Sequence, residues 1–452
     1  MRIYSDRHVL ARPRGDGVRL APVSLGCAKN RCDLEAMLGT GFAAGVELVN
    51  SFEAAEVILV NTCSFIESAV DETEQEIAQA LLHKQQHPRT RVVVSGCYPA
   101  HLRNLGETAP EGIDALLTPS ELDRLPELLR TWFPNRLNGA EPATARMLTT
   151  PRSVAYVKIA DGCDMQCAFC LIPGLRGAYR SRPRAELLDE IRSLLDAGCA
   201  EITLVSQDTT DWGKDIGDRL PALLADICAL PGEFWLRLHY LTPAKVKPDL
   251  IAAFAQLKDK LVPYFDLPIQ HISGPVLRRM RRAETEESIY RLFAEVRAAV
   301  PGATVNSNVI VGFPGESEQD FARLLQFIEA GQVDRLGVFT YSDMPGAPSH
   351  GFSGQVPEEL KQERLDALMR AQQEVALAKH QALLDAEETV LIDSVLRDDG
   401  RVFHLGRTYR DAYEVNGCVL VEGADGLEAG EFCRVRITEV GPYDLKGEYI
   451  GR

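Results

Sequence analysis

PVSLGCAKNRCD (residues 22–33) runs as an apolar strand into a Gly-Cys turn and then into a helical pattern. The plan returns twice, in ILVNTC (58–63) and VVVSGC (92–97), so that Cys27, Cys63 and Cys97 each end a strand. Helical patterns, CDLEAMLGTGF (32–42) and DETEQEIAQALLHK (71–84), lie between or after them. Such alternation predicts a doubly wound, mostly parallel sheet. The carboxyl ends of its strands line one edge, where ligands bind in a crevice, so cysteines far apart in sequence converge there. One strand-end cysteine is ordinary, because free Cys is among the most buried residue types. Three at equivalent positions point instead to a shared iron–sulfur cluster with one open iron. Cys32 stands in C-x4-C relation to Cys27, but it falls on the helix whose apolar face Leu34, Met37 and Leu38 mark, and reads as packing.

The 452 residues carry 49 Lys and Arg against 65 Asp and Glu, a net charge of −16. So acidic a chain does not grip nucleic acid through its overall field; a basic partner suits it. No apolar run reaches the ~18 residues of a membrane span, and the N-terminal stretch lacks a signal-peptide core. Eleven cysteines in such a chain suggest a reducing, cytoplasmic compartment and metal or redox chemistry rather than disulfides.

Pattern shifts divide the chain. Residues 1–19 read as a flexible arm, 20–133 as the doubly wound domain, and 134–152, rich in Pro, Ala, Thr and Asn, as a linker. From 153 to 386, AYVKIADG, EITLVSQD, FWLRLHY, PYFDLPIQ, TVNSNVIVGF and RLGVFTYS alternate with amphipathic helices such as AELLDEIRSLLDAG. These units predict an incomplete (β/α)6 TIM-like barrel followed by a connecting helix, 357–385. Residues 387–452 switch to short alternating runs between Gly, Asn and Asp turns, the pattern of a small antiparallel, OB-like β-barrel.

DGCDMQCAFC (161–170) spaces Cys163, Cys167 and Cys170 as C-x3-C-x2-C, just after the first barrel strand, at the face where such barrels carry catalysis. Three thiolates in one loop can hold three irons of a 4Fe–4S cubane and leave the fourth open. Structural zinc is the alternative, but it wants four closed ligands, and neither a histidine nor a fourth cysteine follows at a suitable distance. Further along, Ser206, Gln207 and Asp208 close the second strand, Arg237 and His239 the third, and Gly312, Gly315 and Glu316 the fifth. By position Ser206, Gln207, Arg237, Gly312 and Glu316 are candidates to hold a cofactor; the alternative for each is a capping or turn role.

DGCDMQCAFC resembles the signature of radical S-adenosylmethionine enzymes. SLGCAKN, VNTCSFIESAV, GCDMQCAFCLIPGLRG, SRP, VSQDT, IVGFPGE and TYS together resemble the methylthiotransferase family across essentially the whole chain. The resemblance implies two 4Fe–4S clusters, one on Cys163, Cys167 and Cys170 and an auxiliary one on Cys27, Cys63 and Cys97. It also implies S-adenosylmethionine as both methyl donor and radical source, and a C-terminal TRAM module.

One branch of that family modifies adenosine 37 of tRNA. Another modifies the β-carbon of an aspartate in protein twelve of the small ribosomal subunit. NTCSFIESAV, YFDLPIQH and GRTYRDAYEVNG resemble the second branch. Residues 387–452 hold 14 acidic and 8 basic side chains, a formal charge of −6. A tRNA-gripping module should be basic, whereas an acidic one suits a basic ribosomal protein, so direct tRNA binding is not expected. A flavodoxin or ferredoxin is the expected electron donor. A third reading, a non-catalytic iron–sulfur electron carrier with an RNA-binding tail, leaves the large barrel without a purpose. Met344–Pro345 and Tyr413 depart from the family's pattern. Cys199, Cys228, Cys418 and Cys433 belong to no motif and read as packing.

Overall fold

The computed structural model describes residues 17–137, 146–398 and 401–452. Most of the arm expected over 1–19, and residues 138–145 of the expected linker, lie outside the described residues. Two compact units emerge. One comprises the described residues up to Thr149 together with Asp161–Tyr179 and Ser342–His350. The other comprises Thr150–Ala160, Arg180–Tyr341 and Gly351–Arg452.

In the first unit, strand β1 (Val18–Ser24) leads into helix α1 (Ala28–Ala44), and β2 (Val46–Leu48) follows. Then come β3 (Val57–Thr62), α2 (Glu67–Gln86), β4 (Arg91–Gly96), α3 (Cys97–Leu105) and β5 (Ala115–Leu117). The strands form one five-stranded sheet in the order β2-β1-β3-β4-β5, parallel throughout. All six residues of β3 are buried. That is why its sequence is a continuous apolar run: both faces of a parallel sheet are covered. Leu34, Leu38, Val57 and Leu59 pack one face, and Ile58, Val60, Ile77 and Val92 pack the other. The chain leaves β1 toward opposite sides of the sheet, which makes the β1/β3 boundary the topological switch point.

The second unit holds a six-stranded parallel sheet in sequence order. Its strands are Val154–Lys158, Glu201–Val205, Trp235–Leu238, Leu261–Asp266, Thr304–Val311 and Arg335–Thr340. This is the incomplete barrel the alternation predicted. The helix Glu358–Gln381 packs beside its last strand, burying Arg364, Leu368, Ala371, Gln372 and Ala376 at three- to four-residue spacing. The C-terminal strands, Glu387–Asp398, Arg401–Arg407, Val419–Glu422, Phe432–Val440 and Leu445–Gly451, close into a five-stranded barrel. Alternate residues, among them Val390, Ile392, Val419, Val421, Val435 and Ile437, fill it. Four of its five pairings are antiparallel, as expected, and Val419–Glu422 with Leu445–Gly451 is parallel.

A buried ionic network ties this small barrel to the large one. Glu201 accepts from Arg237 Nε at 2.8 Å and from Arg407 Nη1 at 2.9 Å. Arg407 also pairs with Asp393, and Asp411 pairs with Arg335 at 2.8 Å. Burial pushes the Glu201 carboxyl up, but the two guanidinium groups outweigh it and lower the pKa from 4.5 to about 2. A depressed carboxylate contributes stability that is present above its unfolded value and lost as pH falls through the folded one. Acid should therefore loosen this joint between about pH 4.5 and about 2. Glu201→Ala leaves the buried Arg237 without its carboxylate and Arg407 with Asp393 alone, and is expected to cost about 3–5 kcal/mol, read as an earlier denaturation midpoint; an unchanged midpoint would dismiss the network as a stabilising joint.

Candidate metal centre

The edge of the first unit's sheet is where its chemistry gathers. Cys27 directly precedes α1, Cys63 directly follows β3, and Cys97 opens α3 directly after β4. The three strands are neighbours, with β3 in the middle, so the thiols meet at the switch point. Two glycines permit the approach. Gly26 has φ +85° and a Cβ there would sit 2.7 Å from Cys63 Cβ; Gly96 has φ +96° and its Cβ would meet Thr62 O at 2.6 Å. No side chain fits in either place, and glycine alone takes that backbone region freely.

Electrostatics at this edge favour anionic sulfur at Cys27 and oppose it at Cys63 and Cys97. Cys27 and Cys97 stand at helix N-termini, where the unsatisfied N–H groups present positive potential. Cys27 is held below its ordinary value, because Lys29, Arg176 and local backbone N–H groups together outweigh desolvation. Burial pushes Cys63 up to about 12, and the neighbouring Cys27 and Cys97 push the same way. Burial also raises Cys97, against the Arg176 cation. The three thiols thus feel one another's charge.

Cys163, Cys167 and Cys170 occupy a loop ahead of the short helix Ile172–Arg176, within the same compact unit. The Cys170 N–H donates to Cys167 O at 3.2 Å, and the Cys163 N–H to Gly177 O at 3.2 Å. Cys170 Sγ accepts from the Ile172 N–H at 3.4 Å. Burial pushes Cys170 up to about 12, with Cys167 and Cys163 adding to it and Lys29 opposing. Lys29 therefore acts on a thiol of each triad. Leu171, Leu175, Met344 and Ala347 pack around Cys97 and Ala100, which gives Met344, a departure from the family's pattern, a place in the apolar wall of this region.

Among the described residues no group of three His, Cys, Asp or Glu side chains is gathered as one metal ion requires. A cubane, unlike a single ion, spreads its thiolates over three separate irons. Paired helix N-termini, Lys29, Arg176 and mutually repelling thiols fit an anionic cluster at Cys27, Cys63 and Cys97, and Lys29 with mutually repelling thiols fits one at the other triad.

The other sequence candidates separate. Ser206 is buried; its hydroxyl accepts from the Asp208 N–H at 3.1 Å, a turn-forming bond. Gln207 is half-buried beside it. Asp208 and Asp211 both hold Lys245, and His239 pairs with Asp266 at 3.0 Å. Gly312 has φ +74°. Two cofactor candidates also hold partners within the chain. Arg237 is fully buried, donates to Glu201 and to Tyr409 O, and lies over the Tyr264 ring. Glu316 is buried, accepts from the Gly312 and Phe313 N–H groups, and pairs with Arg364 at 3.2 Å. Arg237 thus braces the joint between barrels, and Glu316 shapes the loop after the fifth strand. Cys32 is buried in the helix, with Arg146 donating to its sulfur at 3.7 Å. Sequence reading passed over Lys29, Asn30 and Arg176. Their only sign was membership of the quoted stretches SLGCAKN and LIPGLRG.

Comparison with known proteins agrees with this architecture. Residues 19–118 match Uncharacterized protein family UPF0004, 157–328 the Radical SAM superfamily, and 386–450 the TRAM domain. Among solved structures, the radical S-adenosylmethionine methyltransferase TsrM from Kitasatospora setae is similar in fold. Its TM-score is 0.54 at 16% identity, over 74% of this chain and 75% of that one. The ribosomal protein uS12 methylthiotransferase RimO of Carboxydothermus hydrogenoformans is 38% identical, over 95% of this chain and 98% of its own. RimO of Heliobacterium modesticaldum is 39% identical, over 94% of each. With likeness of that degree running through all three matched regions, the chain belongs to the RimO family of radical S-adenosylmethionine methylthiotransferases.

Proposed function

We propose that this enzyme places a methylthio group on the β-carbon of an aspartate in ribosomal protein uS12. The observation that carries the reading is the meeting of Cys27, Cys63 and Cys97 at one sheet edge, in the same compact unit as Cys163, Cys167 and Cys170. In this proposal Cys163, Cys167 and Cys170 hold the radical-generating 4Fe–4S cluster, and Cys27, Cys63 and Cys97 the auxiliary one. When bound, the clusters and S-adenosylmethionine supply one-electron chemistry at an unactivated C–H bond, together with the sulfur and methyl of the transferred group. Such a C–H has no accessible pKa, so no side-chain base could do the same work.

The chain's own residues bind and orient. Lys29 and Arg176 offset negative charge at the triads. Leu171, Leu175 and Met344 keep water from the Cys97 side. Ser206, Gln207, Arg237, Gly312 and Glu316 are the candidates to line the S-adenosylmethionine site. We assign the working regions to 20–133, 153–386 and 387–452, joined by 134–152. The reading places the enzyme in the cytoplasm, with a flavodoxin or ferredoxin as electron donor. The −6 charge of 387–452 supports a basic protein substrate over tRNA.

The test is incubation of the reconstituted full chain with uS12 and, separately, with tRNA, followed by mass spectrometry. A methylthio adduct on uS12 is the expected result. Modified tRNA with untouched uS12 would reverse the substrate assignment. Neither product, with only ~4 Fe per chain instead of ~8, would return the chain to an iron–sulfur carrier.

A further inference from the structure

Arg176 ends the short helix after the Cys163–Cys170 loop, and its side chain is 1% exposed. Its guanidinium reaches four residues on three segments. Nη1 donates to Asp33 at 2.9 Å and to both oxygens of Asp161 at 3.1 Å. Nη2 donates to Asn30 Oδ1 and to Cys97 Sγ, the latter at 3.7 Å. Asp33 and Asn30 lie on α1, the helix that Cys27 precedes. Asp161 lies two residues before Cys163.

The partners are themselves fixed. Asn30 Nδ2 donates to Thr62 O at 2.8 Å, and Asn30 O accepts from Asn61 Nδ2 at 2.9 Å. The fork of Arg176 is therefore aimed, with one arm on two carboxylates and the other on a cysteine sulfur. A cysteine sulfur that ligates iron carries no proton and can only accept, so the Arg176 contact on Cys97 Sγ is charge-assisted. An N–H aimed at a ligand sulfur, and a fixed cation beside it, both stabilise the more negative, reduced state of an iron–sulfur cluster.

The geometry points to Arg176 as a positioning residue that raises the reduction potential of the auxiliary cluster through its N–H contact with Cys97. This rests on the proposal that Cys27, Cys63 and Cys97 hold that cluster. The role is specific to arginine: a lysine keeps the charge but cannot hold two carboxylates and the sulfur at once with a planar fork.

The experiment uses the full chain carrying Cys163→Ala, Cys167→Ala and Cys170→Ala, reconstituted with iron and sulfide, so that only the auxiliary cluster reports. That parent should bind ~4 Fe, and a parent that binds none would sink the reading of Cys27, Cys63 and Cys97 rather than the role of Arg176. In this background Arg176→Lys and the charge-balanced pair Arg176→Met/Asp33→Asn are titrated potentiometrically, with the reduced cluster followed by electron paramagnetic resonance. The paired variant removes the cation without leaving Asp33 as an uncompensated buried charge. It should keep its iron and shift the reduced-to-oxidised ratio at a given potential at least tenfold toward oxidised, a midpoint lower by about 59 mV for one electron. Arg176→Lys should shift the same way by less. Full iron with an unmoved midpoint in both variants would overturn the proposal. Loss of the cluster from both, in protein still folded by circular dichroism, would also overturn it and make Arg176 a structural brace.

Discussion

Alanine at Cys163, Cys167 or Cys170 is expected to abolish formation of 5′-deoxyadenosine from S-adenosylmethionine. The effect should be total, because the loop has three thiols and no spare. Cys199, the next cysteine along the chain, is buried at the turn after the helix Arg184–Asp196 and cannot substitute. Cys170 is further fixed by the Ile172 N–H on its sulfur, so losing it also frees the turn into the helix that carries Arg176. The measurement is chromatographic detection of 5′-deoxyadenosine after chemical reduction, with Cys199→Ala as the control that keeps activity. Undiminished cleavage in any of the three loop variants would remove the radical assignment.

Cys27→Ser should halve the iron, from ~8 to ~4 Fe per chain, and end methylthio transfer while leaving cofactor cleavage in place. Cys32→Ser should retain both. The two sulfurs are five residues apart in sequence, yet Cys27 is at the sheet edge, within range of Lys29 and Arg176, and Cys32 is packed inside α1 with Arg146. At Cys32 the hydroxyl costs at most about 1–3 kcal/mol of burial, and Arg146 is placed to donate to it. Iron analysis and product mass spectrometry on the two variants decide the matter. Equal loss from both would mean that Cys27 and Cys32 act as a pair.

Much of the fold is legible in the sequence because its signals are local. VILVNT reads as a buried parallel strand since both its faces need apolar side chains. The alternation of Cys433, Val435 and Ile437 with Arg434, Arg436 and Thr438 reads as a small barrel since strand side chains point to opposite faces in turn. The strand-end position of Cys27, Cys63 and Cys97 follows from the same runs, and parallel strands bring like ends together. Arg237 and Glu316 show the complementary side. Strand-end position is visible in sequence, but the partner that occupies a side chain is not. Arg237 meets Glu201 across neighbouring strands, and Glu316 meets Arg364 from the long helix.

The sequence by itself marked the fold class, the strand-end position of Cys27, Cys63 and Cys97 and the spacing of Cys163, Cys167 and Cys170, because hydrophobic period and motif spacing are properties of short stretches. Tertiary structure decided which side chains the chemistry can use. Arg176 and Asp33 are 143 residues apart, and Arg407 and Glu201 are 206. Ionic pairs at such separations depend on how sheets stack and helices dock, and no local pattern records them. The same long-range packing sets a cysteine loop of the barrel's first connection into the compact unit of the N-terminal sheet, and aims one buried guanidinium at Cys97.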